Sequence, residues 1–199
     1  GGLRRLSAQS QLWLLAGANG AGKTTFYRTR LAPLGLPFVN ADEIARELFP
    51  TDPEGSSYQA AQVAAELRQQ LLLERRSFCF ETVFSHPGKV DFLARARAFG
   101  YQVILVFIHL DSASLNKARV AQRVAAGGHR VPEAKVQSRI PRVLHNIRLA
   151  LPLCDQVRAL DNSRLDNPYV QVFTLRDGRL SAQAAALPAW ARYLLQAPP

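Results

Sequence analysis

Gly17, Gly22, Lys23 and Thr24 stand at the spacing G-x-x-x-x-G-K-[ST] in "LWLLAGANGAGKTTFYR", residues 12–28. Glycine-rich turns let successive backbone amides wrap a phosphate, and a helix starting at the lysine aims its positive end at the same anion. The lysine then bridges the terminal phosphates, and the threonine hydroxyl is placed to bind Mg²⁺. An apolar strand before the turn and helix formers after it supply the context this chemistry needs. Residues 17–25 (Gly17, Ala18, Asn19, Gly20, Ala21, Gly22, Lys23, Thr24 and Thr25) are therefore the expected nucleotide-binding loop, with ATP or GTP and Mg²⁺ as cofactors.

Four further segments carry groups that could act on the phosphate. "FVNADEIA", residues 38–45, delivers Asp42 and Glu43 from a short strand. Either could accept a proton from an attacking alcohol. Equally, acids in a first helical turn are favoured by the helix dipole alone. "FCFETVFS", residues 78–85, ends three core-type residues on Glu81 and Thr82. That carboxylate could hold a metal-bound water or a substrate hydroxyl, or be a solvated strand end. "NKARVAQRVAAGGHRVPEAKVQSR", residues 116–139, puts Arg119 and Arg123 one turn apart, breaks at Gly127-Gly128, and continues with Arg130. A basic helix, glycine break and helix suits a lid that neutralises charge on a moving phosphoryl group; a solvated basic face is the alternative. "LDNS", residues 160–163, offers Asn162 to a base edge or to a turn.

The elements that must position these groups alternate. Strands are expected at Leu12–Ala16, Phe38–Asn40, Phe78–Phe80, Tyr101–Leu110 and Gln156–Leu160. Helices are expected at Lys23–Arg30, Asp42–Leu48 (capped from Asn40), Tyr58–Arg75, His86–Phe99, Ala113–Ala126, Pro132–Leu149 with a kink at Pro141, and Ala189–Leu195. Asp177-Gly178 signals a hairpin. Such alternation predicts an α/β, three-layer fold: a mainly parallel sheet with helices on both faces and a small arginine-bearing lid. Ligands bind beyond the carboxyl ends of such strands. One domain is expected over 1–199, with an N-terminal extension at 1–10, a lid region near 112–150, and a C-terminal hairpin and helix near 164–199.

Composition narrows the class. Hydrophobic residues make up 48% of the 199, enough for a sizeable core. No apolar run reaches the roughly 20 residues of a membrane span. The first ten residues lack a signal-peptide pattern, so a cytoplasmic protein with no membrane partner is expected, with Cys79 and Cys154 as buried thiols. The net charge is +10, and 21 of the 25 basic residues are arginines spread along the chain. Their dispersion favours small polyphosphate ligands over nucleic acid. No N/T-K-x-D follows a strand, which leaves guanine recognition of the GTPase type unsupported. "VILVFIHLD", residues 103–111, ends on Asp111 without the second acid usual in motor ATPases.

Taken together, N-A-D-E-I at 40–44, F-E-T at 80–82, R-V-x-x-R-V-x-x-G-G-H-x-V-P at 119–132 and D-N-S at 161–163 resemble the zeta toxin family of P-loop kinases, over about residues 12–163. The resemblance implies an ATP- and Mg²⁺-dependent kinase acting on a hydroxyl of a small molecule such as UDP-N-acetylglucosamine, with an antitoxin protein as partner. It implies Lys23 and Thr24 on the nucleotide phosphates and Mg²⁺, and Asp42 as the base. It further implies Glu81, with Thr82 and Arg130, toward the acceptor, and one or two of Arg119, Arg123 and Arg130 as phosphate clamps, Arg119 and Arg123 fitting the spacing best. The chain is shorter than the cell-wall-targeting toxins and lacks a long substrate-domain insertion. The alternative is a nucleic-acid-binding or polynucleotide-kinase-like P-loop protein.

Overall fold

The computed structural model describes residues 8–111 and 133–197. Seven strands form one sheet in the order β2-β3-β1-β4-β5-β6-β7. They are β1 (Gln11–Ala16), β2 (Phe38–Val39), β3 (Phe78–Thr82), β4 (Gln102–His109), β5 (Gln156–Asp161), β6 (Val170–Arg176) and β7 (Arg179–Gln183). The first five are mutually parallel, and β6 and β7 add on antiparallel. β1 lies between β3 and β4, with Leu15 opposite Glu81 and Val106.

Side-chain parity decides what each strand end presents, because successive residues point to opposite faces. Leu12, Leu14 and Ala16 of β1, Phe78 and Phe80 of β3, and Val103, Leu105 and Phe107 of β4 enter one core. That core is covered by α3 (Ser57–Leu73), α4 (Gly88–Ala98), α5 (Glu133–Ala150) and α6 (Ala189–Leu195). Trp13, Leu15, Cys79, Ile104, Val106 and Ile108 point the other way, onto Phe26 of α1 (Lys23–Phe26) and Leu31 just beyond it. Continuing that parity along β3 puts Glu81 on the α1 side. The two-sided burial explains why β1 and β4 read as unbroken apolar runs.

The expected helix Lys23–Arg30 is one α-helical turn followed by a π-helical stretch, Tyr27–Leu31. The short helix α2 (Ala41–Leu48) is capped by Asn40, and α4 ends at Gly100, which takes a left-handed φ of 87°. α5 runs through Pro141 without ending, and Val143, Ile147 and Ala150 of its C-terminal half are core residues. The expected lid region thus finishes on a helix that belongs to the sheet's packing. Asp177 and Gly178, both at positive φ, make the β6–β7 turn. Both cysteines are free and buried. No helix among the described residues is long and apolar enough to cross a membrane.

Candidate active site

The turn after β1 is held by contacts that only its sequence allows. A Cβ at Gly17 would collide with the Ile108 carbonyl, so glycine is required where the loop leaves the sheet beside β4. Gly22 sits at φ +99°, and a Cβ there would lie 2.6 Å from Asn162 Nδ2 and 2.8 Å from the Tyr169 hydroxyl. Ala21 N–H donates to the Ala18 carbonyl at 3.1 Å, closing the turn. Lys23, only 5% exposed, donates from Nζ to the carbonyls of Gly17 (2.7 Å) and Ala18 (3.0 Å). Its ammonium is thereby folded over the loop. Burial pushes its pKa below the ordinary 10.5, opposed by the charges of Glu81 and Asp42.

Glu81 is the hub of the site. Its Oε2 accepts from the Thr24 hydroxyl at 2.8 Å and from Asn40 Nδ2 at 3.1 Å, and its Oε1 lies 3.9 Å from Lys23 Nζ. Three strand ends meet on this one carboxylate. Asn40, 5% exposed, uses its Oδ1 to accept from the backbone N–H of Asp42 (2.8 Å) and Glu43 (3.3 Å). The N-cap that starts α2 is therefore also a ligand of Glu81. Asp42 stands in the first turn of α2 with an exposed side chain, and its charge reaches the Lys23 ammonium. Glu43 instead pairs with Arg28 at 3.5 Å. Asp42 rather than Glu43 is left available to a reacting group.

An oxygen donor set of Thr24 hydroxyl and Glu81 carboxylate, 2.8 Å apart beside a phosphate loop, fits Mg²⁺, which takes few protein oxygens and completes its shell with phosphate and water. Asp111, two residues beyond β4, is exposed, with its N–H donating to Ser163 Oγ at 3.0 Å. The acid on Thr24 comes from β3, not from β4.

Two other expected site residues, Asn162 and Thr82, hydrogen-bond to backbone groups. Asn162 Nδ2 donates to the Ala21 carbonyl at 2.9 Å, and its Oδ1 accepts from Tyr169 N–H at 3.1 Å. It ties the phosphate loop to the segment after β5, with its amide oxygen and one N–H engaged by backbone. The Thr82 hydroxyl accepts from Phe84 N–H at 3.1 Å and shapes the turn leaving β3. Thr25 is exposed, and Asn19 Oδ1 is enclosed with no hydrogen-bond partner among the described residues. Arg119, Arg123 and Arg130 lie outside the described residues.

Tyr169 was not legible as a site residue. Its hydroxyl donates to the Gly22 carbonyl at 2.7 Å, its ring packs edge-on to Phe26 at 5.5 Å, and Arg30 lies 5.2 Å over it. It sits 147 residues from Gly22 in a loop with no motif of its own, so no spacing could announce the contact.

A family model described as an AAA domain matches residues 12–143. The chain belongs to this AAA domain family. Among individual relatives, an uncharacterized protein of Haemophilus influenzae is 25% identical over 138 residues, covering 66% of this chain and 98% of that protein. A chain of the AvrRxo1-ORF1:AvrRxo1-ORF2 complex, solved with sulphate ions, superposes with a TM-score of 0.71 at 20% identity over 90% of this chain. The same complex solved with ATP gives a TM-score of 0.67 at 20% identity over 88%. This AAA-domain chain spans only 62% and 61% of those chains' lengths. A chain of the PezAT chromosomal toxin-antitoxin system of Streptococcus pneumoniae superposes with a TM-score of 0.62 at 15% identity, covering 83% of this chain and 72% of that one. At these identities the likeness is one of fold: a three-layer α/β P-loop architecture.

Proposed function

We propose that this AAA-domain protein is a phosphotransferase that moves the terminal phosphoryl group of ATP to a hydroxyl of a small molecule. The observation that carries the reading is the convergence of Lys23, Thr24 and Glu81 with Asp42 on the next strand end. A bound nucleotide draws the Lys23 ammonium from the Gly17 and Ala18 carbonyls onto its phosphates. Thr24 and Glu81 are the residues that would hold Mg²⁺, which when bound neutralises phosphate charge. Asp42 accepts the acceptor hydroxyl's proton as its oxygen attacks the phosphorus, and the bond to the nucleoside diphosphate breaks. By their sequence pattern, Arg119, Arg123 and Arg130 are the candidates for clamping the transferred group.

A neighbour solved with ATP and another from a toxin-antitoxin system support a toxin-type kinase with an antitoxin partner. UDP-N-acetylglucosamine is the first acceptor to try, on the resemblance of N-A-D-E-I and F-E-T to zeta toxins. The test is ATP turnover by the purified chain with that nucleotide sugar and with a pool of bacterial hydroxyl metabolites. Wild type should transfer phosphate to at least one, and Asp42→Asn should lose about 10²- to 10⁴-fold while still binding ATP. Equal turnover in the two proteins would overturn the mechanism.

A further inference from the structure

Arg68 lies on the inner face of α3, only 9% exposed. Its guanidinium carbon lies over the rings of Phe80 of β3 at 5.2 Å and Phe92 of α4 at 5.7 Å. Its Nε is enclosed without a hydrogen-bond partner, and the guanidinium has neither a hydrogen bond nor an ion pair among the described residues. Enclosing a cation without an acceptor is costly, and native structures seldom leave one so. Lys89 stands in the first turn of α4, three residues before Phe92 and on the same helix face. It too has no carboxylate partner among the described residues. Burial, and then the charge of Arg68, push its pKa from 10.5 to about 8. The acids on the same two helices, Glu66 and Asp91, are exposed and pair with neither cation. Pro87 caps α4 without a side-chain hydrogen bond, so the helix's positive end adds to the same field.

The position of this pair matters. Phe80, beneath Arg68, is the residue before Glu81, and Lys89 follows the turn by which the chain leaves the carboxyl end of β3. Two cations without a carboxylate partner among the described residues therefore lie near the carboxyl end of β3, on the sheet face opposite α1.

We propose that Arg68 and Lys89 form an anion subsite for the acceptor, so that the alcohol phosphorylated by this protein carries a carboxylate or phosphate of its own. The acceptor part of this assignment rests on the phosphotransferase reading; the anion site does not. A guanidinium already packed against two rings that meet edge-on at 87° loses little freedom on binding and can offer its N–H groups to an oxyanion, while the Lys89 ammonium closes from the helix terminus.

The test uses the full chain with its nucleotide loop filled by Mg²⁺ and a non-hydrolysable ATP analogue. Inorganic phosphate and, separately, acetate are titrated in while the arginine Nε–H resonances are followed by NMR. At least one of these anions should shift the Arg68 resonance saturably, identified by its loss in Arg68→Gln. Lys89→Gln, at the rim of the site, should fold normally and weaken that binding about tenfold. An Arg68 resonance unmoved by both anions, or moved identically in Lys89→Gln, would overturn the subsite. A chain that binds the anion yet phosphorylates nothing keeps the subsite and overturns the kinase reading. Phosphorylation of an uncharged alcohol with KM unchanged in Lys89→Gln would overturn the acceptor assignment.

Discussion

The Thr24 hydroxyl donates to Glu81 Oε2 across 2.8 Å, joining the phosphate loop to the end of the neighbouring strand. The parallel register makes this contact: Leu15 pairs with Glu81, and parity turns Glu81 toward α1. Glu81→Gln keeps the shape and an acceptor for Thr24 but removes the charge. Turnover and Mg²⁺ affinity should each fall on the order of 10- to 100-fold. Initial rates across a Mg²⁺ titration check this. Unchanged rates at every Mg²⁺ concentration would show that Glu81 only braces Thr24.

Gly22→Ala should abolish nucleotide binding. The position is left-handed, and the new methyl meets Asn162 Nδ2 and the Tyr169 hydroxyl well inside contact distance. The strain is worth about 1–3 kcal/mol, and relieving it means moving the loop. Tyr169→Phe removes only the hydrogen bond to the Gly22 carbonyl. It should cost about 1 kcal/mol of stability and leave binding weaker but measurable. Calorimetric titration with ATP and urea unfolding separate the two.

Much of this arrangement could be read in advance, and the reasons differ by residue. Gly17 to Thr24 announce themselves because backbone wrapping of a phosphate fixes both residue types and spacing. The five parallel strands are legible because two-sided burial leaves little room for polar residues between Leu12 and Ala16 or Val103 and Ile108. Asn40 was legible as a helix cap from its place before Ala41, but its second bond, to Glu81, depends on strand register 41 residues away. Asn162 illustrates the converse: a polar residue at a strand end looks available to a ligand until Ala21 and Tyr169 are brought against it. Arg68 was read only as part of a helix, because its pattern is that of any amphipathic surface. Its burial comes with Phe80 and Phe92, which no local rule places against it.

Asn40 can be dissected because its two ends do different things. Asn40→Ala removes both the cap on α2 and the donor to Glu81, and should cost about 0.5–2 kcal/mol of stability. Asn40→Asp keeps a good cap but faces the Glu81 carboxylate with a second negative charge. Its stability should stay closer to wild type while its turnover falls further than that of Asn40→Ala. Urea unfolding alongside turnover measures this crossing of the two orders. If activity simply tracks stability, the Asn40–Glu81 contact has no catalytic consequence.

His109, at the end of β4, stacks on Trp190 of α6 with ring centroids 4.5 Å apart and planes 19° from parallel. Burial lowers its pKa below the ordinary 6.5, against the opposing charges of Asp161 and Asp111. In the window between 6.5 and that lower value, the unfolded chain holds a proton on this ring that the folded chain does not. Stability must therefore rise with pH across the window and decline as pH falls through it. Urea unfolding at pH 7.5 and 5.5 should show wild type losing more stability on acidification than His109→Gln, which has no proton to take up. Carboxylates remote from the ring contribute equally to both proteins, so the difference between them reports the imidazole and its coupling to Asp161 and Asp111. Identical losses would mean that the ring on Trp190 is as easily protonated as one in water.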